Sequence, residues 1–251
     1  MYFEGKGKLY VAPVTAGVPG AFRWVADCNQ LQLQGQVQTE EVFESYSGKN
    51  LLSLRLSKQV AMNVQFTLRE WVLENLALGF WGTSATIATG SVTGEVLPAN
   101  LAQGDFARLA YPQVSAVVVT DSAGTPATLT EGTDYSINAA YGSLEFIGDL
   151  SSYTQPFNVD YSYQGGDNVT MFTASSPERW LRFEGLNIAN QSQEVLVELY
   201  RVQNDPLSQA DFLGDAVGDL QVKGAALYDS TKVGNTDLGQ FGRIIYPAAA
   251  A

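Results

Sequence analysis

The stretch between residues 30 and 38 alternates strictly, with a glutamine at every even position and Leu31, Leu33, Gly35 and Val37 between them. Alternation with a period of two is the pattern of a β-strand that has one apolar face and one polar face. The polar face here consists of long uncharged side chains. The pattern therefore predicts a strand whose polar side stays hydrated without carrying charge.

A second alternating stretch follows and predicts the return strand of a long hairpin. Leucines alternate with polar residues over 52–57, and residues 60–66 alternate again with an uncharged polar set. The predicted tip, residues 39–50, is unusually large and mixes glutamates with Val42, Phe43 and Tyr46. Such a tip favours a partner surface that becomes ordered on contact. The alternative is a loop folded back on its own domain.

The period changes at Thr67, where a helix is predicted. Thr67 and Glu70 have the spacing of a capping box, and apolar residues then recur at helical spacing as far as Gly79, which is a typical end for a helix. Its apolar stripe is expected to pack against a sheet. This is the one short helix that the sequence predicts.

A second unit is predicted after residue 87, because residues 87–100 are mostly small and read as a linker. Turn signals at about ten-residue spacing then predict a small β-sandwich. Its predicted strands are Val114–Thr120, Asp134–Ile137, Ser143–Phe146 and Phe157–Tyr163.

The last part of the chain contains strand patterns that are too few and too separated to form a core of their own. They are residues 180–183, 194–202, 220–226 and 241–246. We therefore expect them to complete the sheet begun by residues 1–80. The prediction is a mostly-β chain with a discontinuous β-barrel or sandwich domain, 1–91 and 166–251, and an inserted module, 92–165.

Composition narrows the function. The chain has 251 residues, a formal charge of −12, only 14 basic residues, no histidine and one cysteine, Cys28. Gripping DNA needs clustered Lys and Arg, and the triads of Ser or Cys hydrolases need a His base, so neither activity is expected. An intrachain disulfide is impossible. The first residues do not form a signal peptide and no stretch is apolar enough to span a membrane, so we expect a soluble chain made in the cytoplasm.

Two sets of carboxylates are candidate sites for calcium or for catalysis, and neither is expected to act as one. Asp121, Asp134, Asp160 and Asp167 lack the spacing of a calcium loop and are expected to be turn and strand-end residues. The glutamates of the tip lack the rigid, partly buried setting that tunes a catalytic pKa. The prediction is a protein that is not an enzyme, with no cofactor and no metal.

The order of several segments resembles the major tail tube proteins of long-tailed bacteriophages. In the first domain these segments are Gly5–Val11, the long hairpin, Lys58–Val60, the helix around Trp71–Leu78, and the closing runs 198–202 and 218–224. The inserted segments 132–135, 141–144 and 159–163 are similar to the immunoglobulin-like modules of virion proteins. Together they cover nearly the whole chain.

The resemblance implies a structural virion subunit that forms hexameric rings, which stack into the tube through which DNA passes. It implies assembly in the host cytoplasm, tape-measure and tail-terminator proteins as partners, and DNA only in transit. The residues expected to line the lumen are Gln32, Gln34, Gln36, Ser53, Asn63 and Gln65. Those expected to contact the next ring are Glu40, Glu41, Phe43, Glu44 and Tyr46. One of Arg55 and Lys58 is expected to face the lumen, where pairing with acids of a neighbouring subunit would neutralise its charge.

An alternative from another class is a two-module carbohydrate-binding or adhesin-like β protein. It is motivated by the tyrosines of the insert, which are Tyr135, Tyr141, Tyr153, Tyr161 and Tyr163. An enzyme acting on a glycan is the third hypothesis, and the absence of histidine and of a coherent acid pair argues against it.

Overall fold

A computed structural model describes residues 2–248 and divides the chain into two compact units. One unit contains the chain up to Ser84 and from Val169 onward, and the other is Ala85–Asn168. The described residues form many strands and one α-helix, so the predicted mostly-β class is confirmed. The second unit begins before residue 92 because the expected linker contains a strand.

The first part of the chain supplies five strands and the helix. They are β1 (Gly5–Thr15), β2 (Val18–Pro19), β3 (Arg23–Trp24), β4 (Cys28–Phe43), β5 (Leu52–Leu68) and α1 (Leu73–Gly79). The hairpin predicted from the two alternating stretches is the pair β4 and β5, and its strands are 16 and 17 residues long.

The second unit is a small β-sandwich, as predicted. The middle of the chain forms β6 (Ser84–Ile87), β7 (Gly90–Val96), β8 (Phe106–Arg108), β9 (Val114–Thr120), β10 (Tyr135–Asn138), β11 (Ser143–Phe146), β12 (Asn158–Tyr163) and β13 (Gly166–Val169). Two three-stranded sheets, β7-β12-β9 and β10-β11-β8, share one apolar core that includes Leu144, Phe146 and Phe157. Strands β6 and β13 pair with each other where the chain enters and leaves.

The last part of the chain returns to the first unit as β14 (Glu178–Asn187), β15 (Gln193–Asn204), β16 (Leu220–Ala226) and β17 (Gly242–Ile245), with short 3-10 helices at Ile188–Asn190 and Ser230–Lys232. These strands join the first part in one nine-stranded sheet with the order β2-β1-β14-β15-β16-β5-β4, and β17 and β3 pair with β15 and β1. Within the described residues the sheet does not close into a barrel, and β4 is its edge.

One face of this sheet packs against α1 and forms the core of the first unit. Leu9, Phe66, Leu181 and Val222 come from four different strands and belong to one apolar cluster with Leu78 of the helix. The opposite face is polar along β4, where the glutamines lie, whereas Ala12, Trp180 and Tyr200 form a separate small apolar cluster. The two faces therefore have different roles, as alternation along each strand requires.

The predicted start of the helix is wrong. Thr67 and Leu68 belong to β5, because they pair with β16 at Gln221 and Leu220, and α1 begins only at Leu73. No side chain caps this helix, and the carboxylate of Glu70 instead accepts the backbone N–H of Asp27 at 3.2 Å. The sheet pairing outweighs the local capping signal.

Candidate assembly surface

The outer half of the β4–β5 hairpin extends beyond the core of the first unit. Near the base, Val64, Phe66 and Leu68 are at most 2% exposed. From residue 35 to residue 60, every residue except Glu44 is exposed. We call residues 35–60 the hairpin arm. It is a two-stranded ribbon with solvent on both faces, which is marginally stable by itself in water.

The tip of the arm is shorter than predicted. Glu40, Glu41 and Phe43 lie in β4, where Phe43 pairs with Leu52, so the turn contains only residues 44–51. Apolar and β-branched residues on both strands favour continued pairing, since cross-strand pairs stabilise a ribbon. The prediction of a loop over 39–50 is therefore wrong for its first five residues.

Glu44 closes the turn. Its carboxylate accepts backbone N–H groups from Tyr46, Ser47 and Leu51 at 2.9, 2.8 and 3.1 Å, and it also accepts the Ser47 hydroxyl. The Ser47 hydroxyl and these amides lower the pKa of Glu44 to about 2. Glu44 is thus a local organiser of the tip, while Tyr46 is 90% exposed beside it.

The charges of the arm compensate one another. Lys58 Nζ lies 2.5 Å from the Glu40 carboxylate, and Arg55 Nε lies 3.4 Å from that of Glu41. Arg55 and Lys58 thus have acidic partners within the arm, without an acid from a neighbouring subunit. With Glu44 and Lys49, the arm has three acidic and three basic side chains, so its net charge is 3 − 3 = 0.

Large apolar side chains are exposed along the whole arm. They are Val37, Val42, Phe43, Tyr46, Leu51, Leu52, Leu54, Leu56 and Val60, each between 44% and 90% exposed. Pairing partners share a face of a ribbon, and the pairs Val37–Val60 and Val42–Leu54 are apolar on both strands. Val37 and Val42 are five positions apart on a regularly alternating strand, so the two pairs lie on opposite faces of the arm. Both faces therefore expose apolar side chains, which marks the arm as a site of protein association.

The glutamines at the base of the arm form a polar surface on the side opposite the core. Gln32 pairs with Gln65, and Gln34 pairs with Asn63. Gln36 lies next along the strand, and its Oε1 accepts Nδ2 of Asn63 at 3.5 Å. The structure therefore brings five of the six predicted lumen residues together. We call them the amide surface.

Ser53 does not join the amide surface. It is the unpaired residue at a bulge between Leu52 and Leu54, near the tip of the arm. A bulge shifts the pairing by one residue, so alternation beyond it no longer continues that of the base. Ser53 belongs to the arm by position.

A family model described as "Protein of unknown function UCP028589" matches residues 2–245. The chain belongs to this family. A search of curated proteins finds no match.

One residue of this UCP028589 family member adds a positive charge beside the amide surface. Lys223 of β16 pairs with Gln65 and so lies on the same face, in a depression of about 390 Å³ that Gln32, Gln34 and Asp205 also line. Sequence reasoning missed Lys223 because its neighbour in space is 158 positions away in the chain. Only the alternation of 220–226 hinted at a side chain on that face.

A buried ion network on the same sheet was also missed. The Glu198 carboxylate is 5% exposed and accepts Nη1 of Arg182 at 2.8 Å and Nε of Arg243 at 2.7 Å. Arg182 also donates to Glu184 at 2.7 Å. The network joins β14, β15 and β17, and its geometry satisfies both oxygens of Glu198. It stabilises the sheet away from the arm.

Four of the five tyrosines in the inserted unit are unavailable as a sugar-binding platform. Tyr135 and Tyr161 are 2% and 3% exposed, and Tyr153 and Tyr163 pack against the core. Tyr141 alone of the five is widely exposed, at 76%. The observation that motivated a carbohydrate-binding protein is therefore better explained by core packing.

The aspartates of the inserted unit hold turns. Asp121 accepts three backbone N–H groups, the shortest of them from Ala127 at 2.7 Å, and Asp134 accepts Thr130 N–H at 2.7 Å. The bonds from the Ala127 and Thr154 amides lower the pKa of Asp121.

Within residues 2–248, no helix is long and apolar enough to cross a membrane.

Proposed function

We propose that this chain is a structural subunit that self-assembles into stacked hexameric rings, forming a phage tail tube that conducts DNA. The observation that carries the proposal is the hairpin arm, which exposes nine large apolar residues and has no net charge. In a single subunit in water, the exposed apolar side chains of the arm are not buried and do not stabilise the fold. A second copy that covers it would remove this apolar area from water.

The edge of the sheet supports a contact that repeats from copy to copy. β4 is the last strand of the nine-stranded order, so its outer N–H and C=O groups are open to pairing. An edge strand that pairs with a different part of the next copy makes a head-to-tail contact, and such a contact closes a ring when the rotation fits. The arm then serves contacts between rings.

The amide surface fits the wall of a DNA channel. Gln32, Gln34, Gln36, Asn63 and Gln65 present amides, which do not form the ion pairs with phosphate that give salt-dependent DNA binding. Lys223 is the one cation that lies beside the amide surface in the described residues. One cation per subunit leaves the wall without the basic cluster that grips DNA.

The remaining parts of the proposal concern location and partners. The subunit would belong to the virion tail, assemble in the cytoplasm of the bacterial host, and meet tape-measure and tail-terminator proteins at the inside and the end of the tube. The resemblance of the chain to tail tube proteins supports these assignments. DNA is in transit and is not a specific ligand.

Electron microscopy of the concentrated protein tests the proposal. We expect rings and tubes with the amide surface facing the lumen. A variant in which residues 37–60 are replaced by a two-residue Asn-Gly turn should keep the fold of the first unit and form no tubes. A wild-type protein that stays monomeric at every concentration, or tubes with Gln32 and Gln34 on the outside, would overturn it.

A further inference from the structure

A groove separate from the arm and the amide surface lies beside α1. It has a volume of about 720 Å³, and its walls include Val11, Pro13 and Leu78. Two arginines, Arg23 and Arg179, and one carboxylate, Glu74, line it as well, so the charged side chains of the groove sum to +1. An apolar groove with two guanidinium groups is suited to an apolar segment that carries a carboxylate.

The two guanidinium groups are incompletely paired. Arg23 donates to Oδ1 of the buried Asn75 at 2.9 Å and to the carbonyl of Trp24 at 3.3 Å. Arg179 makes no side-chain hydrogen bond or ion pair with any residue between 2 and 248. Burial lowers the pKa of both arginines, and for Arg23 it outweighs the opposing charge of Glu74. Half-buried cations of this kind gain from an added anion.

The same chain carries a segment with the complementary properties. In the connection between β15 and β16, Phe212, Leu213 and Val217 are 69%, 95% and 83% exposed. Asp215 lies among them and is exposed. Asp211 is held by Gln209, which donates to both of its carboxylate oxygens at 2.8 and 3.0 Å. Asp215 is therefore the carboxylate of this segment that is open to a partner.

The connection is anchored at both ends, so its apex is presented outward. The backbone N–H of Leu207 donates to the carbonyl of Gly79 at 2.8 Å, and Nε1 of Trp71 donates to the carbonyl of Gly218 at 2.7 Å. Phe212 packs edge-on against Trp71 with a centroid distance of 5.1 Å. A fixed loop with Leu213 at its apex is a preorganised ligand, which reduces the entropy lost on binding.

We infer that the groove receives residues 212–215 of a second copy of this chain, with Leu213 against the apolar wall and Asp215 at Arg179 and Arg23. The contact joins two different surfaces, so it is head-to-tail and can repeat around a ring. The inference rests on the proposed self-assembly and names a contact within it that does not involve the arm.

A charge exchange in the full-length protein tests the contact. The variants are Arg179→Glu, Asp215→Lys and the two together, and sedimentation velocity gives the concentration at which each assembles. We expect each single variant to need at least tenfold more protein and the double variant to return to within threefold of wild type. Arg69→Glu and Asp237→Lys make the same charge changes elsewhere on the first unit and should leave assembly unchanged.

The outcomes separate this inference from the proposed function. If wild type assembles and Arg179→Glu assembles equally well, the groove is not an interface, while the tube proposal stands. If Arg179→Glu weakens assembly and Asp215→Lys does not, another segment occupies the groove and the inference is wrong. If wild type never assembles, both fail. Circular dichroism checks folding, and Arg179→Gln replaces Arg179→Glu should the latter misfold.

Discussion

Replacing Phe43 and Tyr46 by serine should leave a folded subunit whose rings no longer stack into tubes. Both side chains are already in water in the single subunit, at 54% and 90% exposure. Substitutions at exposed positions usually change stability by about 0.5 kcal/mol or less. The melting temperature of the double variant should therefore fall by no more than about 2–4 °C for a chain of this size.

The expected loss of assembly follows from the area that a partner would cover. A phenylalanine side chain buries about 200 Å², so the 54% of Phe43 that is exposed corresponds to about 110 Å². At about 25 cal/mol per Å², covering it contributes about 2.7 kcal/mol, or about 100-fold in the association constant of one contact. Tyr46 adds to this, so about 100-fold is the minimum effect of the double change.

Sedimentation velocity and negative-stain microscopy measure the result at matched concentrations. Tyr141→Ser is the matched control, because it removes a 76% exposed tyrosine from the inserted unit. We expect the control to assemble as wild type does. If the double variant forms tubes of normal length at the wild-type concentration, the arm does not join one ring to the next and the reasoning from exposed area is refuted.

Three further predictions concern the turn, the ion network and the inserted unit. Because the pKa of Glu44 is lowered from 4.5 to about 2, its stabilisation of the turn is present above pH 4.5 and is lost as the pH falls through about 2. Amide exchange in the turn should therefore become faster over this pH range than its intrinsic pH dependence accounts for. The variant Glu44→Gln should lack this additional pH dependence. Glu198→Gln should lower the free energy of unfolding in urea by about 2 kcal/mol, because two arginines lose a charged acceptor, whereas the exposed Glu194→Gln should change it by less than about 0.5 kcal/mol. A short Gly-Ser linker in place of 85–168 should leave a cooperatively melting first unit, since a backbone hydrogen bond of 3.0 Å joins the chain on either side of the insertion, and an aggregated product would contradict this.

The strands were predictable where large apolar residues alternate with polar ones. The predicted bounds of 114–120, 143–146 and 220–226 are those of β9, β11 and β16. β7 was missed because Gly90–Val96 is rich in small residues and contributes little to the core apart from Val92. A strand whose partners supply most of the apolar surface has no strong signal of its own.

The composition of the candidate surfaces could be predicted only in part, because register is a long-range property. The alternation along the hairpin predicted Gln32, Gln34 and Asn63 on one face, but only the pairing of β5 with β16 shows that Lys223 stands beside them. Two bulges in the arm move Ser53 away from this set. The glutamates looked like an acidic tip because their partners, Arg55 and Lys58, are on the opposite strand.

The two proposed contacts should respond differently to salt, because their physical origins differ. The arm has no net charge and pairs its ions internally, so its association depends on apolar area, which salts such as sulfate strengthen. The groove contact depends on Asp215 meeting two arginines, and attraction between partly exposed charges is screened over about 8 Å at physiological ionic strength. Sodium chloride should therefore weaken the groove contact and spare the arm. Since the groove contact is proposed to close the ring and the arm contact to stack rings, raising the sodium chloride concentration should impair ring closure before it impairs stacking.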